Sequence, residues 1–327
     1  GLSLTRIAPG GLNDCRFTLQ QNGTYWYHSH SGLQEQAGVY GPLVIEAREP
    51  EPFVYDRDYV VMLSDWSDQP PEHLLHTLKK QSDYYNRHKR TVGDFIDDVA
   101  RDGWSASVAD RTMWAEMKMS PTDLADVSGV TYRYMLNGQT ADSNWTGVFT
   151  QGEKLRLRLI NGSAMSYFDV RIPGLKMTVV AADGQYVQPV SVDELRIAVA
   201  ETYDVIVEPG GAAAYTLFAQ AMDRSGYARG TLAVQQGLSA AVPKVDPRPL
   251  ISMADMGMDH GSGAPMAGMD HSQMSGMDHG NMAAMTAPMQ RHPASETDNP
   301  LVDMQTMNPS PKLADPGIGL RNNGRRV

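Results

Sequence analysis

Beyond Gly129 the chain becomes a succession of short runs: TYRYMLNG, EKLRLRLING, SYFDVRI, LKMTVVAADG, DELRIAV, YDVIVEP and AYTLFAQ. Within each, apolar and polar residues tend to alternate, and turn signals such as Asn137-Gly138, Asn161-Gly162 and Asp183-Gly184 separate them. A period of two sends successive side chains to opposite faces of an extended strand. Many short strands can bury their apolar faces only against another sheet, so the pattern predicts a β-sandwich. Nearer the N-terminus, residues 15–20, 23–30 and 42–46 also read as strands, with Gly23, Gly41 and Pro42 as punctuation, and suggest the second half of another sandwich.

Between the two β regions the period changes. PEPFVYDRD, from Pro50 to Asp58, reads as a linker leading into the strand YVVMLSDW. From Pro71 to about Ser120, EHLLHTLKKQSDYYNRHKR and DFIDDVARD carry apolar residues at helical spacing and predict two or three helices inserted among strands. His73 and His76 lie in this insert as an HxxH pair and read as a solvated or packed helical pair. Met113 and Met117, four residues apart in MWAEMKM, read with Met119 as a packed face, with a transient Cu(I) contact as the alternative. Asp65 and Asp68, beside Trp66, read as carboxylates solvated at a strand end, with approach to a copper path as the alternative.

After Gly237 the alternation stops. AVPKVDPRPL is an extended, proline-rich linker. It leads into a stretch of Met, Gly, Ala and Ser that has neither helical nor strand period and is expected to be disordered. Ten of the chain's twenty methionines fall between Met253 and Met289, so the clustering is not a by-product of overall composition. Within it GMDH occurs three times, ending at His260, His271 and His279. Thioether sulfur selects Cu(I) and imidazole suits copper in either oxidation state. Met256, Met258, His260, Met266, Met269, His271, Met274, Met277 and His279 are therefore candidate ligands of an auxiliary copper tract. A plain linker has no need of oxidation-prone methionine at exposed sites.

Composition narrows the partners. A formal charge of −10 argues against nucleic acid, which attracts basic faces. No run approaches the ~18 consecutive apolar residues of a membrane helix. The single Cys15 excludes an internal disulfide and any Cys/His zinc framework, and its place in the alternating run NDCRFTLQ predicts a packed thiol. The first residues have no signal-peptide pattern and the last no closing element, so the chain is expected to be a fragment of a longer polypeptide.

In GTYWYHSHSGLQEQ, residues 23–36, two histidines end an aromatic strand. Thr24, Trp26, His28 and His30 then share one face, with neighbours roughly 6.6 to 6.8 Å apart along the strand. The rings sit abreast, able either to bind one ion or to serve different members of a metal pair. Ser29 points the opposite way.

The longer stretch GTYWYHSHSGLQEQAGVYGPLVIE resembles the second copper-binding segment of multicopper oxidases, and YRYMLNGQT, GEKLRLRLINGS and ETYDVIVEP look like their middle-domain segments. With the helical insert and the MDH tract, the whole chain is similar to the middle portion of the periplasmic copper-resistance members of that family. The resemblance implies a mainly β fold of cupredoxin-like Greek-key sandwiches. Residues 1–48 would be the end of the first, 49–240 the second with its helical insert near 71–120, and 241–327 a linker that is largely disordered. It further implies a periplasmic location, with copper as cofactor and O₂ as partner. His28 and His30 would each ligate one ion of the type 3 copper pair. The family's HWH, HxxHxH and HCHxxxH motifs are not in these residues, which places the remaining ligands elsewhere in the polypeptide.

Three functions follow as expectations. One is part of an oxidase that couples one-electron oxidation of Cu(I) or a phenol-like donor to reduction of O₂ to water, with this portion inactive alone. The alternative is a non-catalytic copper-sequestering protein acting through the Met/His-rich tract. The third is a structural sandwich whose HSH is vestigial.

Overall fold

A computed structural model describes residues 7–124, 131–252, 255 and 317–321. The candidate tract from Met256 to His279, and with it the expected disorder, lies outside the described residues. Chain order is β1 (Gly23–His28), β2 (Tyr40–Ile45), β3 (Arg57–Trp66), α1 (Pro71–Lys80), α2 (Val92–Asp102) and α3 (Trp104–Glu116). Then follow β4 (Arg133–Leu136), β5 (Gln139–Thr140), β6 (Trp145–Val148), β7 (Leu155–Asn161), β8 (Phe168–Arg171), β9 (Met177–Ala182) and β10 (Gln185–Val192). The last four strands are β11 (Glu194–Ile197), β12 (Thr202–Val207), β13 (Ala214–Ala221) and β14 (Tyr227–Ala233).

A seven-stranded sheet, in the order β10-β9-β12-β7-β3-β4-β5, faces a five-stranded sheet, in the order β11-β8-β13-β14-β6. Pairing is antiparallel except for β3 with β7 and β14 with β6. This is the expected mainly β sandwich. Its core holds Val61 and Leu63 from β3, Leu155, Leu157 and Leu159 from β7, Phe168 and Val170 from β8, and Leu217 and Ala219 from β13. Burial at roughly 25 cal/mol per Å² of apolar surface drives this packing. Asn137-Gly138 and Asp183-Gly184 form turns with positive φ at all four residues, as short hairpin connections require. Asn161-Gly162 is instead the buried end of β7, where the Asn161 amide donates to Ser166 O (2.8 Å) and Ile197 O (3.2 Å).

The insert contains three helices. Pro71 opens α1 and Lys79 and Lys80 close it, so the helical stretch expected to run to Arg90 ends at Lys80. Thr91 and Asp94 form a reciprocal capping box on α2. His73 and His76 are exposed on α1. Met113 and Met117 are half-buried, whereas Met119 is exposed, so the packed face takes in only the first two.

The predicted strand at residues 15–20 is absent. Cys15 is exposed and no strand pairs with this stretch, so its alternation has nothing to pack against. The strand predicted over 23–30 ends at His28, and that predicted over 42–46 starts earlier, at Tyr40.

Strand β7, LRLRLIN, decides how the N-terminal hairpin is held. Its leucines enter the core, so Arg156 and Arg158 face outward, yet they are 0% and 2% exposed. The β1–β2 hairpin and residues 51–58 cover them. Arg156 pairs with Asp204 of β12 (2.5 Å) and with Glu51 (2.7 Å), beneath the rings of Phe53 and Tyr55. Arg158 pairs with Asp58 (2.7 Å) and donates to Thr24 Oγ1 (2.9 Å), which in turn donates to Asp204 Oδ1 (2.6 Å). The stretch read as a linker, residues 50–58, packs on the sandwich through Glu51, Phe53, Tyr55 and Asp58. Arg156→Ala is expected to lower stability by about 3–5 kcal/mol, because Asp204 stays buried without its main counter-charge. The shift of the urea unfolding midpoint measures it.

Candidate metal centre

His28 closes β1 and His30 lies two residues beyond it. The His28 ring stacks on Trp26, with centroids 4.1 Å apart and planes 13° from parallel. The centroid of His30 lies 4.4 Å from that of His28 at 43°. The three rings follow one another on one side of the ribbon, as period two requires. Thr24, the first residue on that side, is anchored to the charged network under β7, while His28 is half-exposed and His30 exposed. The imidazoles therefore project from a fixed root onto an open rim.

The turn between the two hairpin strands is folded back on them. Ser29 N–H donates to Val39 O (3.1 Å), Ser29 Oγ to Gln34 Oε1 (2.6 Å), and Ser31 N–H to Ser29 Oγ (3.1 Å). Ser29 points away from the two rings and clips the turn. Val39 N–H donates to Gln34 O (2.9 Å), and Tyr132 donates to Gln36 Oε1 (3.2 Å), tying the turn to the sandwich. The fold-back brings Glu35 Oε2 to 3.0 Å from His28 Nδ1, at ion-pair distance but without the alignment of a hydrogen bond. That buried nitrogen has no hydrogen-bond partner.

Behind Trp26, Gly162 packs closely: a Cβ there would meet Met62 and approach the indole at 3.5 Å. The loop following Gly162 hangs on Asp65, which is buried rather than solvated at a strand end. Its carboxylate accepts from the backbone N–H groups of Ala164 (3.0 Å), Met165 (3.2 Å) and Ser166 (3.1 Å), and from Ser166 Oγ (2.7 Å). Burial pushes the Asp65 carboxyl up, and these hydrogen bonds oppose the shift. Asp68 is exposed, accepting from Trp66 Nε1 (3.2 Å) and Arg133 (2.7 Å). Tyr40, paired with His28 across the hairpin, has its hydroxyl pushed up by burial. A cleft of about 420 Å³ beside it is lined by Tyr40, Pro42, Val60, Met62, Ser64 and Asn137.

The donor chemistry fits copper in part. Two imidazoles abreast are suitable ligands. Among the described residues no group of three or more His, Cys, Asp or Glu converges to hold an ion. Of the residues expected to bind metal, the structure brings together His28 and His30. The contact of Glu35 with His28 and the anchoring of residues 164–166 by Asp65 are not marked by any spacing in the sequence.

Residues 57–237 match a family model described as multicopper oxidase, and residues 1–50 match a second model with the same description. Copper resistance protein A of Pseudomonas syringae pv. tomato is 66% identical to this chain, over all of it and 59% of that protein. A protein of the same name from Escherichia coli is 65% identical over the same shares. The chain thus spans about three-fifths of the length of these relatives. The crystal structure of a laccase from Botrytis aclada superposes with a TM-score of 0.49 at 25% identity, covering 71% of this chain and 39% of that one.

Asp65→Ala should leave the donors at residues 164–166 without their acceptor and lower stability by about 3 kcal/mol. It should also loosen the packing of Gly162 behind Trp26, seen as a change in tryptophan emission before global unfolding. An emission spectrum and urea midpoint equal to those of the parent chain would show that Asp65 does not support the ring stack.

Proposed function

The chain belongs to the multicopper oxidase family, and from that premise we propose that it is part of a copper-dependent oxidase in which His28 and His30 each ligate one ion of a copper pair. The observation that carries this reading is the two imidazoles side by side on an open rim, 4.4 Å between centroids, at the end of a ribbon rooted in a buried charge network. Copper bound there would supply one-electron redox chemistry. The chain's own part is to present two imidazole donors in fixed orientation: Trp26 stacks against His28, Glu35 sits at its Nδ1, and the clipped turn keeps the rim in register.

Reduction of O₂ to two waters takes four electrons and four protons, whereas Cu(I) or a phenol gives up one electron at a time. Several coppers must therefore be loaded before oxygen is reduced, and two histidines cannot hold them. In this reading the remaining ligands come from further parts of the same polypeptide, outside this chain. We place the whole protein in the periplasm, serving copper resistance. Support comes from the name of the relatives, Copper resistance protein A.

The alternative, copper sequestration through Met256, Met258, His260, Met266, Met269, His271, Met274, Met277 and His279, is favoured by the threefold GMDH repeat. The two readings separate in one pair of measurements. This chain alone is expected to consume no O₂ with Cu(I) or a phenol, while a polypeptide extended to the length of its relatives does. His28→Ala or His30→Ala in the longer protein should lower that rate by at least ~100-fold, since loss of an outer-shell partner alone costs ~10–100-fold. Full oxidase activity in both variants would sink the assignment of these ligands. For the tract, titration of Cu(I) against a competing chelator should show fewer ions bound after deletion of residues 253–289. An unchanged stoichiometry would rule the tract out as a copper site.

A further inference from the structure

The outward face of the five-stranded sheet carries a second ionic cluster, remote in sequence from the hairpin. Asp169 of β8 is fully buried and pairs with Arg196 Nε (2.7 Å) and Arg224 Nη1 (2.8 Å). Arg171 Nη1 lies 3.1 Å from both Glu194 Oε2 and Asp246 Oδ2. Gln220 donates to Asp246 (2.7 Å) and accepts from the Asp246 N–H (3.0 Å).

Two stretches of chain far apart in sequence meet on this cluster. On the incoming side, Asp246 is held as described, Arg248 pairs with Asp94 (2.8 Å) and donates to His88 O, and Ile251 N–H donates to Pro121 O (2.8 Å). On the returning side, Arg196 Nη2 donates to Ile318 O (2.7 Å), Arg224 Nη2 donates to Gly319 O (2.7 Å), and Arg321 forms an ion pair with Asp246. Arg196 of β11 and Arg224 of the β13–β14 turn thus each grip Asp169 with one part of the fork and a returning carbonyl with another, a geometry that lysine cannot supply. At Gly319, φ is +76° and a Cβ would lie 2.8 Å from Pro249, so the two stretches touch where only glycine fits.

We propose that this cluster is a clasp that holds the two ends of residues 253–316 together on the sandwich. The Met/His-rich stretch is then an insertion rooted at one place, which can be shortened or loaded with metal without disturbing either the sandwich or the path of the chain at residues 317–321. Loop-closure entropy grows only with the logarithm of loop length, so the clasp tolerates a wide range of lengths between its ends. A metal carried by the insertion stays within a fixed radius of one anchor, beside the helical insert that Arg248 and Ile251 touch. Burial pushes the Asp246 carboxyl up, but hydrogen bonds from Arg321 and Gln220 and the charge of Arg171 outweigh it and hold the group at about 2. Its folded value is depressed, so the stabilisation is complete above the usual carboxylate range and is lost progressively as pH falls from there through about 2.

Two experiments on the full chain test the clasp. Replacing residues 253–316 by a short Gly/Ser linker should leave the melting temperature within about 3 °C of the parent. Limited trypsin digestion, with the cut after Arg321 followed by mass spectrometry, reads the returning stretch directly. Asp246→Asn, which removes the charge facing Arg321, and Gly319→Val, which pushes the stretch away from Pro249 and from the Arg224 fork that holds its carbonyl, should each speed that cut at least ~10-fold. The rest of the sandwich should stay resistant. A deletion that melts more than about 5 °C lower, or an unchanged cutting rate in either variant, would overturn the proposal.

Discussion

Two arginines buried behind β7 set the terms for everything N-terminal to them. A guanidinium withdrawn from water loses far more solvation than one ion pair returns unless every donor finds an acceptor. Arg156 and Arg158 meet that demand with Asp204 and Asp58 from neighbouring strands and with Glu51 and Thr24 from outside the sandwich. The sandwich alone would leave these groups open to solvent on one face. With Thr24 as a shared hydroxyl, donating to Asp204 and accepting from Arg158, the β1–β2 hairpin becomes the cover that completes the network.

That requirement links stability to the candidate site. Strand β1 alternates, so the side that sends Thr24 into the network also sends Trp26, His28 and His30 along the same line. The hairpin has one neighbour in its sheet and would be marginal alone. The buried charges fix its angle, and Gly162 and Met62 back Trp26. The histidines therefore owe their orientation to residues more than a hundred positions later in the chain.

The sequence was readable wherever local alternation and burial agree. EKLRLRLING announced β7, and the leucines of that run are core residues, because both signals come from the same few positions. NDCRFTLQ alternates equally well and is not a strand, since alternation records what a strand would look like and not whether a partner exists to pair with it. Strand β10 was missed for the opposite reason: QYVQPVSV is largely exposed and contains Pro189, so it gives no apolar signal although it pairs with β9. Strand β14, YARGTLA, hides behind Gly230, which is needed where Trp145 packs against the strand. At the site, the pairing of His28 and His30 was legible from spacing alone. Glu35 and the buried role of Asp65 were not, because the first depends on how a turn folds back and the second on a loop that lies about a hundred residues downstream.

The two ionic clusters divide the work of the sandwich between its faces. Behind the seven-stranded sheet, buried charge fastens the hairpin that carries the paired histidines; behind the five-stranded sheet, it fastens the two stretches flanking the methionine-rich insertion. Purely apolar contacts on these faces would hold such segments with less regard to register, since dispersion and hydrophobic burial are non-directional. Arginine forks against carboxylates and carbonyls accept one arrangement, so each attachment is specified to the residue. A fold that holds segments lying outside its own core in fixed register gains from that directionality, while the leucine core between the sheets supplies non-directional stability.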